Sequence, residues 1–273
     1  MQLNDMNLTE KIDTLSQLIR AKASAAVAFS GGVDSSFLAK MLVDHLGDRS
    51  LALTIDSVFV PRDEIEHARQ FSRQIGIRHS IIPFEQLPEE ILVNDRMRCY
   101  QCKKTLFSRL RDAAESEAIE TLFDGSNCDD LSDYRPGMKA LQELGVESPL
   151  IECGFSKRDI RDASRQMGLS TWDHPSMACL ASRIPYDTKI SKQALKMVEQ
   201  AESVLKTMGL KQVRVRIHHE SARIEVPPED RSWFFDTDRM DRISTEFKSI
   251  GFKFVSLDLE GYRMGKLNDS SQP

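Results

Sequence analysis

A glycine-rich segment, Ser30–Ser36 (SGGVDSS), lies directly after a short apolar run and directly before a helical pattern. Its glycines allow a tight turn that presents backbone N–H groups to an anion, and the helix start adds partial positive charge. Asp34 would repel a bare phosphate, so it favours a metal ion between its carboxylate and a polyphosphate. The segment is neither a Walker A loop nor a dinucleotide fingerprint, because the Gly-Lys-Ser/Thr and the third glycine are missing. An incidental strand-to-helix turn is the alternative interpretation.

Five cysteines form a second reactive set, and three of them lie in short motifs. Cys99 and Cys102 form a Cys-x-x-Cys pair, which suits disulfide exchange, half a zinc site or ligation of an iron–sulfur cluster. Two ordinary thiols at a helix start are the alternative. Cys179 lies in the segment PSMACLASR, whereas Cys128 and Cys153 fit no motif and are expected to be packing residues. The basic neighbours that favour thiolates in the pair are Arg98, Lys103 and Lys104.

A second polar loop comprises Asp124–Asp130 and continues through Asp133–Gly137. It follows a predicted strand, and ligands of open parallel sheets bind beyond the carboxyl ends of the strands. We therefore expect this loop and Ser30–Ser36 to border the same crevice. Its carboxylates could hold magnesium and Arg135 an anionic substrate, although a Gly/Asn turn with an acidic helix start explains the same residues.

Near the carboxyl end, 212–218 and 222–226 alternate in polarity and predict a β-hairpin. Arg214 and Arg216 share one face, and two residues of a strand span about 6.8 Å, so both guanidiniums could reach one phosphate or carboxylate. Glu225 lies on the partner strand. The pattern alone favours an exposed strand pair with cross-strand Arg–Glu contacts over an anion site.

The helices and strands predicted to position these residues follow one pattern before about residue 187 and another after it. Up to about residue 187, apolar runs alternate with helical stretches, which predicts a parallel α/β sheet covered on both faces. The predicted strands are Ala25–Phe29, Leu51–Ile55, Ser80–Phe84, Glu120–Phe123 and Pro149–Ile151, with helices over 8–20 and from Pro61 to about Gly76. Residues 188–265 predict a smaller α-β-β-α-β domain, and 266–273 a disordered tail.

Composition limits the possible functions. The 273 residues carry 37 Lys and Arg against 42 Asp and Glu, a net charge of -5 that argues against a protein that grips nucleic acid backbones. No run approaches the ~18 apolar residues of a membrane helix. The polar start lacks secretory features, and an odd number of cysteines argues against a disulfide framework. We expect a cytoplasmic globular protein with no nucleic acid or membrane partner.

The loop Ser-Gly-Gly-Val-Asp-Ser resembles the signature of the PP-loop ATP pyrophosphatase superfamily. The resemblance implies a Rossmann-like, adenine nucleotide alpha hydrolase-like domain that binds ATP with Mg2+ and releases pyrophosphate. It implies adenine near Thr54–Ser57. The residues that it assigns to the nucleotide are Ser30, Gly31, Gly32, Asp34, Ser35, Ser36, Asp56 and Gly125, with Asp34 also on magnesium.

Four segments together resemble the LarE sulfur transferases of that superfamily: 30–36, Arg98–Lys103, 124–137 and 175–183. The resemblance implies adenylation of a carboxylate of pyridinium-3,5-biscarboxylic acid mononucleotide and its conversion to a thiocarboxylate. Cys179 is the implied catalytic, sulfur-handling residue. Single-cysteine members give up the sulfur of that cysteine, whereas three-cysteine members are thought to hold a four-iron four-sulfur cluster that carries a transferable sulfide. The cysteines present here, which favour the cluster, are Cys99, Cys102 and Cys179.

The resemblance also reverses the interpretation of the hairpin, since the family places such residues around the substrate nucleotide. The implied substrate-binding residues are Arg135, Ser182, Arg183, Glu202, Arg214, Arg216 and Glu225. The implied partners are further copies of the chain in a hexamer, other nickel-pincer biosynthesis enzymes and a downstream lactate racemase-type enzyme.

Three other functions stay open from the sequence. A PP-loop tRNA thiolase can also carry three cysteines, but it needs a basic face that a net charge of -5 disfavours. An NAD-synthetase-like amidotransferase would leave the cysteines incidental. A non-catalytic nucleotide sensor would bind ATP without releasing pyrophosphate.

Overall fold

A computed structural model describes residues 6–132, 136–175 and 178–263, and it divides the chain into two compact units. The first unit comprises Met1–Leu87 and Met97–Met177, and the second comprises Pro88–Arg96 and Ala178–Pro273. The helices are α1 (Leu8–Arg20), α2 (Val33–Leu46), α3 (Arg62–Ile75), α4 (Glu89–Leu92), α5 (Arg98–Ser116), α6 (Pro136–Glu143), α7 (Pro149–Glu152), α8 (Lys157–Gln166), α9 (Lys192–Thr207) and α10 (Thr237–Ile250). The strands are β1 (Ala25–Ala28), β2 (Ser50–Ser57), β3 (Arg78–Phe84), β4 (Thr121–Phe123), β5 (Arg214–His218), β6 (Ser221–Glu225) and β7 (Phe254–Leu257).

The first unit is built on a four-stranded parallel sheet with the order β3-β2-β1-β4. Successive residues of a strand face opposite sides, and both sides are buried here. Val27 of β1 packs with Phe37 and Phe155 on one face, while Leu53 packs with Leu110 on the other. The predicted α/β sheet with helices on both faces is therefore confirmed.

The predicted fifth strand at Pro149–Ile151 is wrong. These residues form the short helix α7, with Pro149 at its first turn and Leu150 fully buried. Proline suits a first helical turn because it lacks the N–H that would be unpaired there. The sheet is extended only by an isolated bridge between Phe123 and Glu147, within the part of the chain that the structure describes.

The second unit contains the predicted α-β-β-α-β order as α9, β5, β6, α10 and β7. Its sheet has the order β5-β6-β7, in which β5 and β6 are antiparallel and β6 and β7 parallel. Leu205, Val215 and Phe247 lie in its core. The hairpin register opposes Arg214 to Glu225, as the alternation requires.

The second unit also includes residues on both sides of the predicted boundary near 187. Residues 178–187 belong to it, and so does the short stretch 88–96. The side-chain amide of Asn94 donates to the carbonyls of Pro185 at 2.7 Å and Thr188 at 3.0 Å, and Ile190 N–H donates to Leu92 O at 2.8 Å. These long-range bonds hold the stretch in the second unit, and no local sequence pattern announces them. Within the described ranges, no helix has the length and apolar character to cross a membrane.

Candidate active site

The glycine loop joins β1 to α2 and is held by its own serines. Ser30 Oγ lies 3.1 Å from Ser35 Oγ, and Gly32 N–H donates to Ser30 Oγ at 3.3 Å. Gly31 has a φ of +79°, and a Cβ built there would lie 3.3 Å from Ala68 of α3. Both facts require glycine, since other residues are strained at this φ and would press on α3. The loop is thus fixed close to the start of α2, as an anion site needs.

Two serines of the predicted phosphate-binding set are buried. Ser36 is fully buried, and its N–H donates to Gly32 O at 2.9 Å within the first turn of α2. Ser35 is almost buried, and its hydroxyl lies 3.3 Å from the Gly32 carbonyl, to which it donates. The Ser35 hydroxyl therefore stabilises the loop. Ser36 Oγ, in contrast, is buried without a hydrogen-bond partner among the described residues, and the backbone N–H groups and the helix start add further anion-binding capacity.

The loop after β4 packs against the glycine loop. A Cβ at Gly125 would lie 3.2 Å from the backbone nitrogen of Ser35 and 3.5 Å from the Cβ of Asp34. Contacts this short favour glycine. The expectation that both loops meet at one edge of the sheet is confirmed for these residues.

Asp34 contacts Lys157, a residue that the sequence analysis does not single out. Lys157 begins α8, and its Nζ donates to Asp34 Oδ2. Burial raises the pKa of Asp34, and the neighbouring Lys157 opposes that rise. Asp34 Oδ1 is buried and has no hydrogen-bond partner among the described residues. An unpartnered carboxylate oxygen is a donor that Mg2+ favours, so the pocket fits the implied cation.

The signal for Lys157 was present in the sequence. Ser156 and Asp159 form a capping box, in which the Ser156 hydroxyl accepts the Asp159 N–H and the Asp159 carboxylate accepts the Ser156 N–H. This places Lys157 in the first helical turn, and its own N–H donates to Asp129 Oδ2 at 3.0 Å. A capping box after a turn predicts a helix start, and helix starts favour anions.

The acidic side chains of the loop Asp124–Asp130 form hydrogen bonds within the protein. Asp124 is buried, accepting hydrogen bonds from the hydroxyls of Ser126 and, at 2.6 Å, Ser148. Asp130 Oδ2 accepts the Asn127 N–H at 3.1 Å. Each oxygen of Asp124 thus accepts one hydroxyl hydrogen bond, and magnesium binding by the carboxylates of this loop stays a prediction. Arg135 lies outside the described residues.

Asp56 lies near the end of β2, at the same sheet edge as the glycine loop. Its Oδ1 accepts from Arg62 Nη1, and Arg62 Nη2 donates to Ser57 O at 2.8 Å. The preceding Thr54 donates to the Phe29 carbonyl at 2.6 Å, which ties the strand end to β1. This region is a polar rim at the end of β2, where the resemblance expects adenine.

The cysteines differ in exposure: Cys99 and Cys179 are exposed, Cys102 and Cys128 are partly exposed, and Cys153 is buried, as expected for a packing residue. Cys99 and Cys102 lie in the first turns of α5, spaced so that they share one helix face, with Cys99 exposed. The guanidinium of buried Arg98 approaches Cys99 Sγ at 3.7 Å. Cys153 is buried, and burial raises the pKa of its thiol to about 11, which makes it a poor thiolate ligand.

In the second unit, Cys179 is exposed and precedes a short 3-10 helix formed by Leu180–Arg183. Arg183 is 2% exposed and lies under this turn. Its Nη1 donates to the Ala178 and Cys179 carbonyls at 2.8 and 3.1 Å and to Ser182 Oγ at 2.9 Å. The arginine thus fixes the backbone that presents the thiol.

The hairpin charges are buried, which overturns the interpretation as an exposed strand pair. Arg214 and Arg216 are each 7% exposed and Glu225 is fully buried. Arg216 Nε donates to Glu225 Oε1 at 2.7 Å, and its Nη1 donates to the Ser182 carbonyl at 2.8 Å. Alternation cannot reveal this, because the unit covers both faces of β5.

The second unit contains a group of buried charges that includes several guanidiniums, and guanidiniums bind anionic ligands. Three guanidiniums, those of Arg183, Arg214 and Arg216, accompany the two carboxylates of Glu202 and Glu225. Burial lowers the pKa of Arg214, with Arg183 the next contributor. A phosphate or carboxylate bound beside these guanidiniums would stabilise their buried charge.

Comparison with known proteins extends along most of the chain. The NAD synthase family matches residues 8–114. An uncharacterized protein of Synechocystis sp. is 39% identical, over 96% of this chain and 98% of that protein. An uncharacterized protein of Methanocaldococcus jannaschii is 29% identical, over 87% of this chain and 90% of that protein.

A further relative bears a specific name. The pyridinium-3,5-bisthiocarboxylic acid mononucleotide synthase of Lactiplantibacillus plantarum is 34% identical, over 96% of this chain and 95% of that protein. The similarity spans both the glycine loop and the Cys179 segment. From this match over nearly the full length of both proteins, together with the loop Ser-Gly-Gly-Val-Asp-Ser, it follows that the chain belongs to the LarE family of sulfur transferases within the PP-loop ATP pyrophosphatase superfamily.

Proposed function

We propose that this protein uses ATP to convert a carboxylate of pyridinium-3,5-biscarboxylic acid mononucleotide into a thiocarboxylate. The observation that carries the proposal is the exposed thiol of Cys179 on a backbone fixed by Arg183, in a chain that also has a glycine loop for polyphosphate. The named bacterial relative supports the choice of substrate class.

The first step is adenylation. A carboxylate oxygen of the substrate attacks the α-phosphorus of ATP, the bond to the β-phosphate oxygen breaks, and pyrophosphate leaves with its electron pair. The N–H groups of the glycine loop and the ammonium of Lys157 stabilise the charge that develops on the leaving group. Mg2+ would be held by Asp34, whose Oδ1 is unpartnered among the described residues, and it would neutralise phosphate charge.

Buried charges of the second unit suit an anionic nucleotide. Arg214 and Arg216 supply guanidiniums in a nearly dry environment, where charge-assisted hydrogen bonds are strong. Glu225 keeps Arg216 in place, and one oxygen of Glu225 has no hydrogen-bond partner in the described part of the chain. We propose that Arg214 and Arg216, with Ser182 and Arg183, hold the phosphate and the second carboxylate of the substrate. Glu202 and Glu225 would complete this substrate site by orienting the guanidiniums of Arg183 and Arg216.

For the sulfur source, we propose a four-iron four-sulfur cluster bound by Cys99, Cys102 and Cys179. Their donor chemistry supports it: two are exposed and Cys102 is partly exposed, in contrast to Cys153. When bound, the cluster would supply a sulfide to the acyl carbon. Without it, the Cys179 thiolate would attack that carbon and expel AMP, and β-elimination would leave the sulfur on the product and dehydroalanine at position 179.

The test is pyrophosphate release from ATP and Mg2+ in the presence and absence of the biscarboxylate nucleotide. We expect release only with the substrate, and we expect Cys179→Ser to retain release but to form no thiocarboxylate. Substrate-independent release would contradict the adenylation step. An amide formed from ammonia would instead support the amidotransferase, and salt-sensitive tRNA binding the thiolase.

We also propose the wider setting that the family resemblance implies. The chain would work in the cytoplasm as a hexamer, between other nickel-pincer biosynthesis enzymes and a lactate racemase-type enzyme. The donor set of exposed thiols supports a reducing compartment, where thiols persist. Mass measurement of the purified protein in solution tests the assembly.

A further inference from the structure

A compact cluster of two imidazoles and a carboxylate lies in the first unit, apart from the residues assigned to the reaction. Glu64 and His67 are one turn apart on α3, and His174 lies in the segment that follows α8. Their ligand atoms all lie within 4.8 Å of one another. The two imidazole rings are 4.7 Å apart between centroids, and His174 Nε2 lies 3.7 Å from Glu64 Oε2.

Two atoms of this cluster are buried without a hydrogen bond. Glu64 is 9% exposed, and neither its Oε2 nor His67 Nδ1 has a hydrogen-bond partner among the described residues. At 3.7 Å, His174 Nε2 is too far from Glu64 Oε2 for a hydrogen bond. An unsatisfied buried polar atom costs about 1–3 kcal/mol, so two in one place indicate a missing ligand.

The backbone holds His174 near α3 before any ligand binds. Arg161 of α8 donates to the carbonyl of Trp172 at 2.7 Å and to that of His174 at 2.8 Å. His174 N–H donates to Thr171 O at 3.0 Å, which closes a turn. The cluster therefore joins a helix face to a restrained turn, and only side-chain rotations are needed to bring the ligand atoms together.

We propose that Glu64, His67 and His174 bind one divalent ion of the zinc class, such as Zn2+, Ni2+ or Co2+. Two imidazoles and one carboxylate suit these ions, whereas Mg2+ and Ca2+ prefer oxygen ligands alone. In the structure the two imidazoles are stacked, with an interplanar angle of 22°, so binding would rotate them until one nitrogen of each ring points at the ion. A fourth position stays open for water or another ligand.

The bound ion would cross-link the turn at 171–175 to α3. His67 precedes Ala68, the residue against which Gly31 of the glycine loop packs. The ion would therefore stiffen the wall of the glycine loop. It would also restrain the turn that precedes the Cys179 segment in the chain.

The test is a calorimetric titration of Zn2+ into the full chain after removal of metals with a chelator. Cys99, Cys102 and Cys179 are first replaced by serine, so that thiols do not compete for the ion. We expect one Zn2+ per chain. In that background, His67→Gln and His174→Gln are each expected to weaken binding at least about 30-fold. His219→Asn removes an exposed histidine of the hairpin turn and should leave binding unchanged.

A second measurement guards against misfolded variants. Zn2+ should raise the unfolding temperature of the parent but not of Glu64→Gln, and the two proteins should unfold alike in chelator. The proposal would be overturned if the parent bound no Zn2+, or if His67→Gln and His174→Gln bound it as tightly as the parent does. Both measurements are independent of sulfur transfer. Failure of the proposed metal site can therefore be distinguished from failure of the proposed reaction.

Discussion

Arg183 and Glu202 form a buried, two-pronged ion pair in the second unit. Nε of Arg183 donates to Oε1 of Glu202 at 2.8 Å, and Nη2 donates to Oε2 at 3.0 Å. Oε1 of Glu202 also accepts the Val215 N–H at 2.9 Å, which ties α9 to β5. The remaining nitrogen of Arg183 holds the carbonyls of Ala178 and Cys179, so the pair links the hairpin to the turn that presents the thiol.

We expect Glu202→Gln to destabilise the protein by about 3–5 kcal/mol, because it leaves a buried guanidinium without its counter-charge. Chemical denaturation measures the change. Glu220→Gln is the matched control, since Glu220 pairs with Lys253 on the surface, and its loss should cost less than about 1 kcal/mol. Equal losses for the two variants would show that the buried pair has no special role.

Lys157→Met should lower substrate-dependent pyrophosphate release at least about 100-fold, the effect of losing one charged group that stabilises a leaving group. Arg158→Met on the same helix is the control, because its side chain is 92% exposed and it should retain full activity. Steady-state kinetics with varied ATP measure both. Wild-type rates for Lys157→Met would exclude the lysine from the phosphate site.

Gly31→Ala should abolish ATP binding, because the added Cβ is strained at a positive φ and presses on Ala68. Gly145→Ala introduces the same kind of strain at a φ of +64° but meets no atom within 4 Å. We expect it to cost about 1 kcal/mol of stability and to leave ATP affinity intact. Titration calorimetry with ATP and Mg2+ distinguishes the two, and equal ATP affinities would contradict the loop assignment.

Stability should fall as the pH drops from about 6.5 to about 4, and His79 should contribute to the fall. Burial lowers the pKa of His79 to about 4, against an ordinary 6.5, while its ring is hydrogen-bonded to Thr54 and Ser72. Above pH 6.5 the imidazole is neutral in both states, and its contribution is fully present. Below that, the unfolded state gains a proton that the folded state resists, so this contribution is lost progressively as the pH falls towards 4.

His79→Gln should show a shallower decline in the free energy of unfolding between pH 6.5 and pH 4 than the wild type. His219→Asn, at an exposed position, should keep the wild-type slope. Denaturation series at several pH values provide the comparison, and identical slopes in all three proteins would refute the assignment.

Local pattern predicted much of the fold. The hairpin of β5 and β6 shows the alternation that a strand produces, and Pro61 and Gly76 correctly bracket α3. The apolar runs that became β1 to β4 have no period, but helical stretches separate them and so favour strands. Pro149–Ile151 was misassigned because a three-residue apolar run has no period. The inclusion of 88–96 in the second unit depends on long-range bonds of Asn94, which no local pattern encodes.

The candidate site, like the fold, could be predicted only in part from local sequence patterns. The glycine loop could be predicted because each position has a local chemical reason. The burial of Arg214 and Glu225 could not, since alternation shows only which residues share a face and not what covers that face. The capping box of Ser156 and Asp159 is a local signal for the helix start at Lys157, but the contact of Lys157 with Asp34 depends on tertiary structure. Tertiary structure also brings together Glu64, His67 and His174.

The most direct test of sulfur transfer is mass spectrometry of the nucleotide product. Protein prepared without oxygen is incubated with ATP, Mg2+ and the biscarboxylate nucleotide. We predict a product in which one carboxylate oxygen is replaced by sulfur, with one AMP formed per sulfur transferred. AMP formation that leaves the product free of sulfur, in protein shown to contain its thiols intact, would contradict the assignment as a sulfur transferase.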